Sequence, residues 1–164
     1  MTFTDQLLER ARRRAYEAGG PSSAPPKVAV LACMDARIDV YRLLGLSLGD
    51  AHVLRNAGGV VTDDAIRSLV LSQRLFGTRE IVLVHHTDCG MTTFHDDALR
   101  DEIAREVGFR PPFALEAFAD PREDVRQSIA RLRACPFLPH RAHVRGFVLD
   151  VHSGALEEVV APGA

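Results

Sequence analysis

Short apolar runs alternate with longer stretches of helical spacing along this chain. Val28 to Ala32, Ala51 to Leu54, Ile81 to His85 and Val144 to Val151 are brief and mostly β-forming, as expected of buried strands. Helical spacing is expected from Thr4 to about Glu17, with Leu7, Leu8, Ala11 and Ala15 on one face and Thr4 as cap. Gly19-Gly20-Pro21 should stop that helix, and Ser22 to Pro26 reads as an extended connector. Val40 to Leu46 reads as a short helix ended by Gly49. Asn56-Ala57-Gly58-Gly59 reads as a turn, and a helix capped by Thr62 runs to Phe76 before Gly77. Further helices are expected over residues 97–107 and 122–134, with a loop around Pro111-Pro112 between them. Gly154 turns the chain into a last strand-like piece, Ala155 to Val160.

Strands alternating with helices predict an α/β fold: one domain over residues 1–164, with a mostly parallel central sheet flanked by helices. In such sheets ligands bind beyond the carboxyl ends of the strands, where strand order reverses. Cys33 and His86 each lie just past such an end. A 2-1-3-4 strand order, with the last piece as an added edge strand, brings both residues to one crevice. Cys89 can swing back to join them in a turn permitted by Gly90.

Composition narrows the class without deciding it. A chain of 164 residues, 46% hydrophobic and 26% charged, suits an ordinary soluble domain. A net charge of −2 leaves no electrostatic footprint for nucleic acid or an anionic membrane surface. No apolar run approaches the ~20 residues of a membrane span, and the charged N-terminus lacks the apolar core of a secretory signal. Three cysteines form no disulfide framework, so a reducing cytoplasm is the expected compartment.

The chemistry concentrates in Cys33-Met34-Asp35-Ala36-Arg37 and His86-Thr87-Asp88-Cys89-Gly90. Two thiols and an imidazole make a soft ligand set suited to Zn²⁺, and three protein ligands leave a fourth position for chemistry. Two thiolates cancel the formal charge of the ion, so water there is acidified less than by three neutral imidazoles. A nearby carboxylate then helps, and Asp35 is in the right segment. Arg37 can hold Asp35 in a bidentate pair; without it, Asp35 is a candidate fourth ligand that closes the site.

Cys-x-Asp-x-Arg, Arg-Asn-Ala-Gly and His-x-x-Cys-Gly, standing here as CMDAR at 33–37, RNAGG at 55–59 and HTDCG at 86–90, resemble the β-class carbonic anhydrases. The resemblance extends over essentially the whole chain and is to the short bacterial subgroup. It implies the β-carbonic anhydrase fold, one Zn²⁺ per chain on Cys33, His86 and Cys89, and a catalytic dyad of Asp35 and Arg37. It further implies reversible hydration of CO₂ to bicarbonate and a homodimer or tetramer. The N-terminal helix and connector, residues 1–26, would pack on a partner subunit. Asn56, Gly58 and Gly59 would lie near the substrate, the glycines through turn geometry and backbone N–H groups.

The sequence departs from that pattern twice. Ala24 stands where larger members have a Gln for bicarbonate recognition, and His85 stands where Gly is more common. No dedicated proton shuttle is evident. Strand alternation points His85 away from His86, as a packed or supporting residue. Asp88 reads as a turn former, His95 as a solvated loop residue with a proton shuttle as its alternative, and Cys135 as packing. The rival readings are a CS₂ or COS hydrolase on the same scaffold, a non-catalytic zinc-binding regulatory protein, and a Cys33/Cys89 redox pair.

Overall fold

A computed structural model describes residues 2–13 and 26–160. The end of the first expected helix, the Gly19-Gly20-Pro21 stop, Ala24 and nearly all of the connector lie outside the described residues.

Five strands form one sheet: β1 (Val28–Cys33), β2 (Ala51–Asn56), β3 (Glu80–His86), β4 (Val144–Leu149) and β5 (Leu156–Val159). Their order is β2-β1-β3-β4-β5, as expected. The first four are parallel, with Leu31 in register with Leu54 on one side and Leu83 on the other. β5 joins antiparallel, Leu149 opposite Leu156. Strand 2 runs to Asn56, two residues further than its apolar run, because Arg55 and Asn56 pair with Ala32 and Cys33.

Among the described residues, five α-helices complete the fold: α1 (Phe3–Arg13), α2 (Val40–Leu44), α3 (Asp63–Arg74), α4 (Asp96–Val107) and α5 (Pro121–Ala134). The cap of α1 is Thr2, not Thr4. Thr2 Oγ1 accepts the Asp5 N–H at 3.1 Å, and the Asp5 carboxylate accepts the Thr2 N–H at 2.7 Å. That reciprocal bond needs an acidic or amide side chain three residues beyond the cap; Thr4 has Leu7 there instead. Thr62 caps α3 as expected, accepting the Ala65 N–H at 3.2 Å. Helix α2 stops at Gly45, whose left-handed backbone (φ 64°) ends it before the expected Gly49.

Strand alternation splits the core in two. On one face, Ala29, Leu31, Ile81, Leu83 and Val148 pack against Leu69 of α3 and Val125, Ile129 and Leu132 of α5. Each fully buried Leu or Ile there contributes ~1.5–3 kcal/mol of transfer free energy. Gly146 lets α5 lie directly on β4, since a Cβ there would stand 2.3 Å from Val125 Cγ1. On the other face, Val30, Ala32 and Val84 pack with Ile38, Val40 and Met91, around Cys33 and Cys89. The site therefore sits on the face that lacks α3 and α5, at the carboxyl ends of the central strands.

Candidate active site

Cys33 ends β1 and His86 ends β3, so the parallel pairing of these neighbours carries both side chains to one edge. Cys89 returns through a tight turn. The left-handed residue of that turn is Asp88 (φ 53°), not Gly90; Asp is among the few non-glycine residues that accept this backbone. The Thr92 N–H and hydroxyl both donate to the Cys89 carbonyl, at 3.0 and 2.8 Å, and close the following turn.

Cys33, His86 and Cys89 are all buried, and their ligand atoms lie within 4.8 Å of one another. The sulfurs are 3.9 Å apart. That is close to the ~3.8 Å edge of a tetrahedron with Zn–S bonds of ~2.3 Å, and far beyond the ~2.05 Å of a disulfide. His86 Nδ1 faces the Thr87 carbonyl at 2.7 Å, the contact that makes Nδ1 the donor and leaves the Nε2 lone pair free. Nε2 is buried with no hydrogen-bond partner among the described residues, an arrangement that costs ~1–3 kcal/mol unless a ligand satisfies it. The donor set and the orphaned nitrogen fit a soft divalent cation.

The protonation balance points the same way. Burial pushes the Cys33 thiol up, but the His86 imidazole and the Asp35 and Gly58 amides outweigh it and bring it down to about 7. Burial pushes Cys89 up to about 11, opposed by the Met91 amide and assisted by its negative neighbours Cys33 and Asp35. Burial lowers His86, yet Cys33 and the Thr87 carbonyl raise it overall. A cation binding these three groups would displace their protons, so its affinity rises with pH.

Asp35 stands at the rim, its Oδ2 3.7 Å from His86 Nε2. Arg37 holds it bidentately, Nε to Oδ1 at 2.9 Å and Nη2 to Oδ2 at 2.7 Å, and the Arg37 N–H adds a third bond at 2.9 Å. Arg37, by side chain and amide, holds the carboxyl well below the usual carboxylate range. The same guanidinium donates to the Asp88 carbonyl at 3.2 Å, linking the segment of Cys33 to that of His86 and Cys89.

Arg55 carries a role that the motif hinted at without defining. It donates twice to the Cys33 carbonyl, at 3.0 and 2.8 Å, and once to the Asp35 carbonyl at 2.6 Å, fixing the loop that bears the Cys33 thiol and the Asp35 carboxylate. Asn56 braces its own turn, donating to the Val60 carbonyl at 2.8 Å. Gly58 lines the pocket, whereas Gly59 lies beneath it: a Cβ on Gly59 would stand 2.8 Å from the Cys33 nitrogen, and its φ is 72°. His85 is fully buried on the opposite face, with Nε2 2.6 Å from Asp124 of α5. Cys135 is buried in the core beside Leu132, and His95 is an exposed residue before α4.

Comparison with known proteins agrees with this geometry. Residues 28–109 match the carbonic anhydrase family. "Beta-carbonic anhydrase 1" of Mycobacterium tuberculosis is 55% identical over 163 residues, 97% of this chain and 99% of that protein. A crystal structure of carbonic anhydrase from Streptococcus mutans superposes with a TM-score of 0.85 at 39% identity, covering 98% of this chain and 99% of that one. A carbon disulfide hydrolase of Acidithiobacillus thiooxidans is 36% identical over 148 residues, 77% of this chain and 74% of that protein. Identity at the first of these levels, over nearly the whole of both chains, goes beyond a shared fold, and the chain belongs to the β-class carbonic anhydrases.

Proposed function

We propose that the protein catalyses the reversible hydration of carbon dioxide, CO₂ + H₂O ⇌ HCO₃⁻ + H⁺, with one Zn²⁺ held by Cys33, His86 and Cys89. The observation that carries this reading is the bidentate Arg37 clamp on Asp35, which keeps a nearby carboxylate out of the ligand set and ionised. Bound there, Zn²⁺ would supply the Lewis acidity that brings water within reach of ionisation near neutral pH. Asp35 accepts a hydrogen bond from the attacking water and orients it. Because Arg37 holds its pKa low, Asp35 remains an acceptor and does not carry the product proton. Arg37 positions Asp35, and Arg55 positions the loop beneath both. Gly58 and the turn braced by Asn56 and Gly59 form the wall beside the substrate, where Met34, Ala57 and Met91 make the lining largely apolar, as suits an uncharged triatomic molecule.

The wider reading is of one domain acting as a homodimer or tetramer in a reducing cytoplasm. Helix α1 supports the assembly: Phe3, Leu7 and Leu8 are exposed and none of its residues is buried, so its apolar side is suited to a partner subunit. Among the described residues, no helix is long and apolar enough to cross a membrane.

Stopped-flow CO₂ hydration across pH, with zinc content and mass in solution measured on the same sample, tests the proposal. About one zinc per chain with rapid hydration supports it; a zinc-loaded protein that leaves CO₂ unchanged refutes it. The similarity to a carbon disulfide hydrolase favours one second reading. Parallel assays with COS and CS₂ separate the two.

A further inference from the structure

The pocket above the three ligand atoms holds about 170 Å³ and is lined by Cys33, Asp35, His86, Met34, Gly58 and Met91, among others. Its wall is backed by a residue outside every motif. Gly58 has no room for a side chain: a Cβ there would stand 3.0 Å from Met91 Cγ and 3.0 Å from Phe118 Cε1. Phe118 thus packs directly behind both Gly58 and Met91, and its N–H donates to the Met91 carbonyl at 3.3 Å.

Phe118 belongs to the irregular segment between α4 and α5, yet that segment is tied at several points. The Asp96 carboxylate, at the start of α4, accepts three consecutive backbone N–H groups: Leu115 at 2.7 Å, Glu116 at 3.2 Å and Ala117 at 2.7 Å. Glu116 adopts a left-handed backbone (φ 62°), a conformation rare for such a residue that the clamp overrides. Arg100 holds the Pro111 carbonyl at 2.9 Å. On its other side the Phe118 ring packs on the His85 ring, 5.4 Å between centroids, and His85 is anchored to Asp124 of α5. A loop this tightly held, ending on an aromatic ring behind the pocket, is built for a fixed position.

We propose that Phe118, presented by the Asp96-clamped loop, is the size-determining back wall of the active-site pocket. It holds Met91 and Gly58 forward over the ligand atoms, so that a longer sulfur-containing triatomic is disfavoured there against CO₂. This rests on the CO₂ reading for its substrate, and the wall itself can be measured without turnover. Phe118 touches no reacting atom; it acts through Met91 and Gly58. Shape selection of this kind is worth roughly tenfold or more for a change of one or two heavy atoms.

The test uses the zinc-loaded full chain and two linear anions, cyanate, isoelectronic with CO₂, and thiocyanate, its longer sulfur counterpart. Calorimetric titration of each anion into wild type, Phe118→Ala and Phe118→Tyr gives the ratio of the two Kd values. Phe118→Ala is expected to shift that ratio toward thiocyanate by about tenfold or more. The COS-to-CO₂ ratio of kcat/KM should move the same way, while Phe118→Tyr stays near wild type. Equal weakening of both anions, or no change, overturns the proposal, because a merely structural residue would move both together. Should Phe118→Ala fail to fold, Asp96→Asn serves instead: amides 115–117 should exchange faster with solvent and the ratio shift in the same direction by less. Faster exchange with an unchanged ratio also overturns it. If wild type binds both anions but does not hydrate CO₂, the proposed function fails while the anion ratio still decides the wall.

Discussion

His85 and His86 are consecutive in β3, both fully buried, and have opposite surroundings. His86 turns its Nδ1 to the Thr87 carbonyl and leaves Nε2 unpartnered among two thiols. His85, on the other face, gives its Nε2 to the Asp124 carboxylate and leaves Nδ1 unpartnered. One residue of strand alternation separates a candidate metal ligand from a brace between sheet and helix. Residue type and burial do not tell them apart; the atom left without a partner, and what surrounds it, does.

The largest expected effect comes from His86. His86→Ala should reduce zinc affinity at least 100-fold and abolish CO₂ hydration, whereas His85→Ala should keep about one zinc per chain. The cost of His85→Ala falls on stability instead, ~2–4 kcal/mol in denaturant titration, from the cavity and the carboxylate left behind. Zinc loss in both variants, or in neither, would erase the contrast.

Asp35 and Arg37 sharpen the ligand side. Asp35→Ala should retain zinc while turnover falls by ~10²–10⁴-fold in stopped flow; near-normal turnover would remove its orienting role. Arg37→Ala should release Asp35 to replace water as the fourth ligand, visible in a crystal structure of the zinc-loaded variant as a carboxylate oxygen ~2.0–2.2 Å from the metal. An unchanged ligand shell would contradict that.

On the bracing side, Asp96 offers a smaller effect with a pH signature. Burial raises its pKa, but the three loop amides prevail and hold it below the usual carboxylate value. A group lowered on folding stabilises above its unfolded pKa of ~3.9, and that stability is lost as pH falls through the folded value. Asp96→Asn should therefore cost about 2 kcal/mol at pH 7, and the gap to wild type should narrow below about pH 4. A gap that does not change with pH would assign the loss to shape, not charge.

Much of this was readable along the chain. The strand-end positions of Cys33 and His86 and the opposed faces of the two histidines follow from periodicity, the strand order is one that parallel α/β sheets allow, and Cys135 packs as a free cysteine usually does. Element ends were less legible: Thr2 replaced Thr4 as cap because of Asp5, whereas Asp88, read as a turn former, does supply the left-handed residue of its turn. Glycine is the usual reader of such a turn, but an aspartate adopts it when the flanking chain is tied down, as here by Arg37 on its carbonyl.

What the sequence determined alone is two thiols and an imidazole at strand ends, the carboxylate–guanidinium spacing and the alternation of strands with helices, because each is a local code of spacing or periodicity. What only the tertiary structure decided is which partners complete those groups. Asp124 on His85, Arg55 on the Cys33 carbonyl, Asp96 on the 115–117 amides and Phe118 behind Met91 join segments far apart in the chain, and no periodicity announces them. Such pairings are chosen by unsatisfied hydrogen bonds and by space at close packing, and these exist only after the chain has folded.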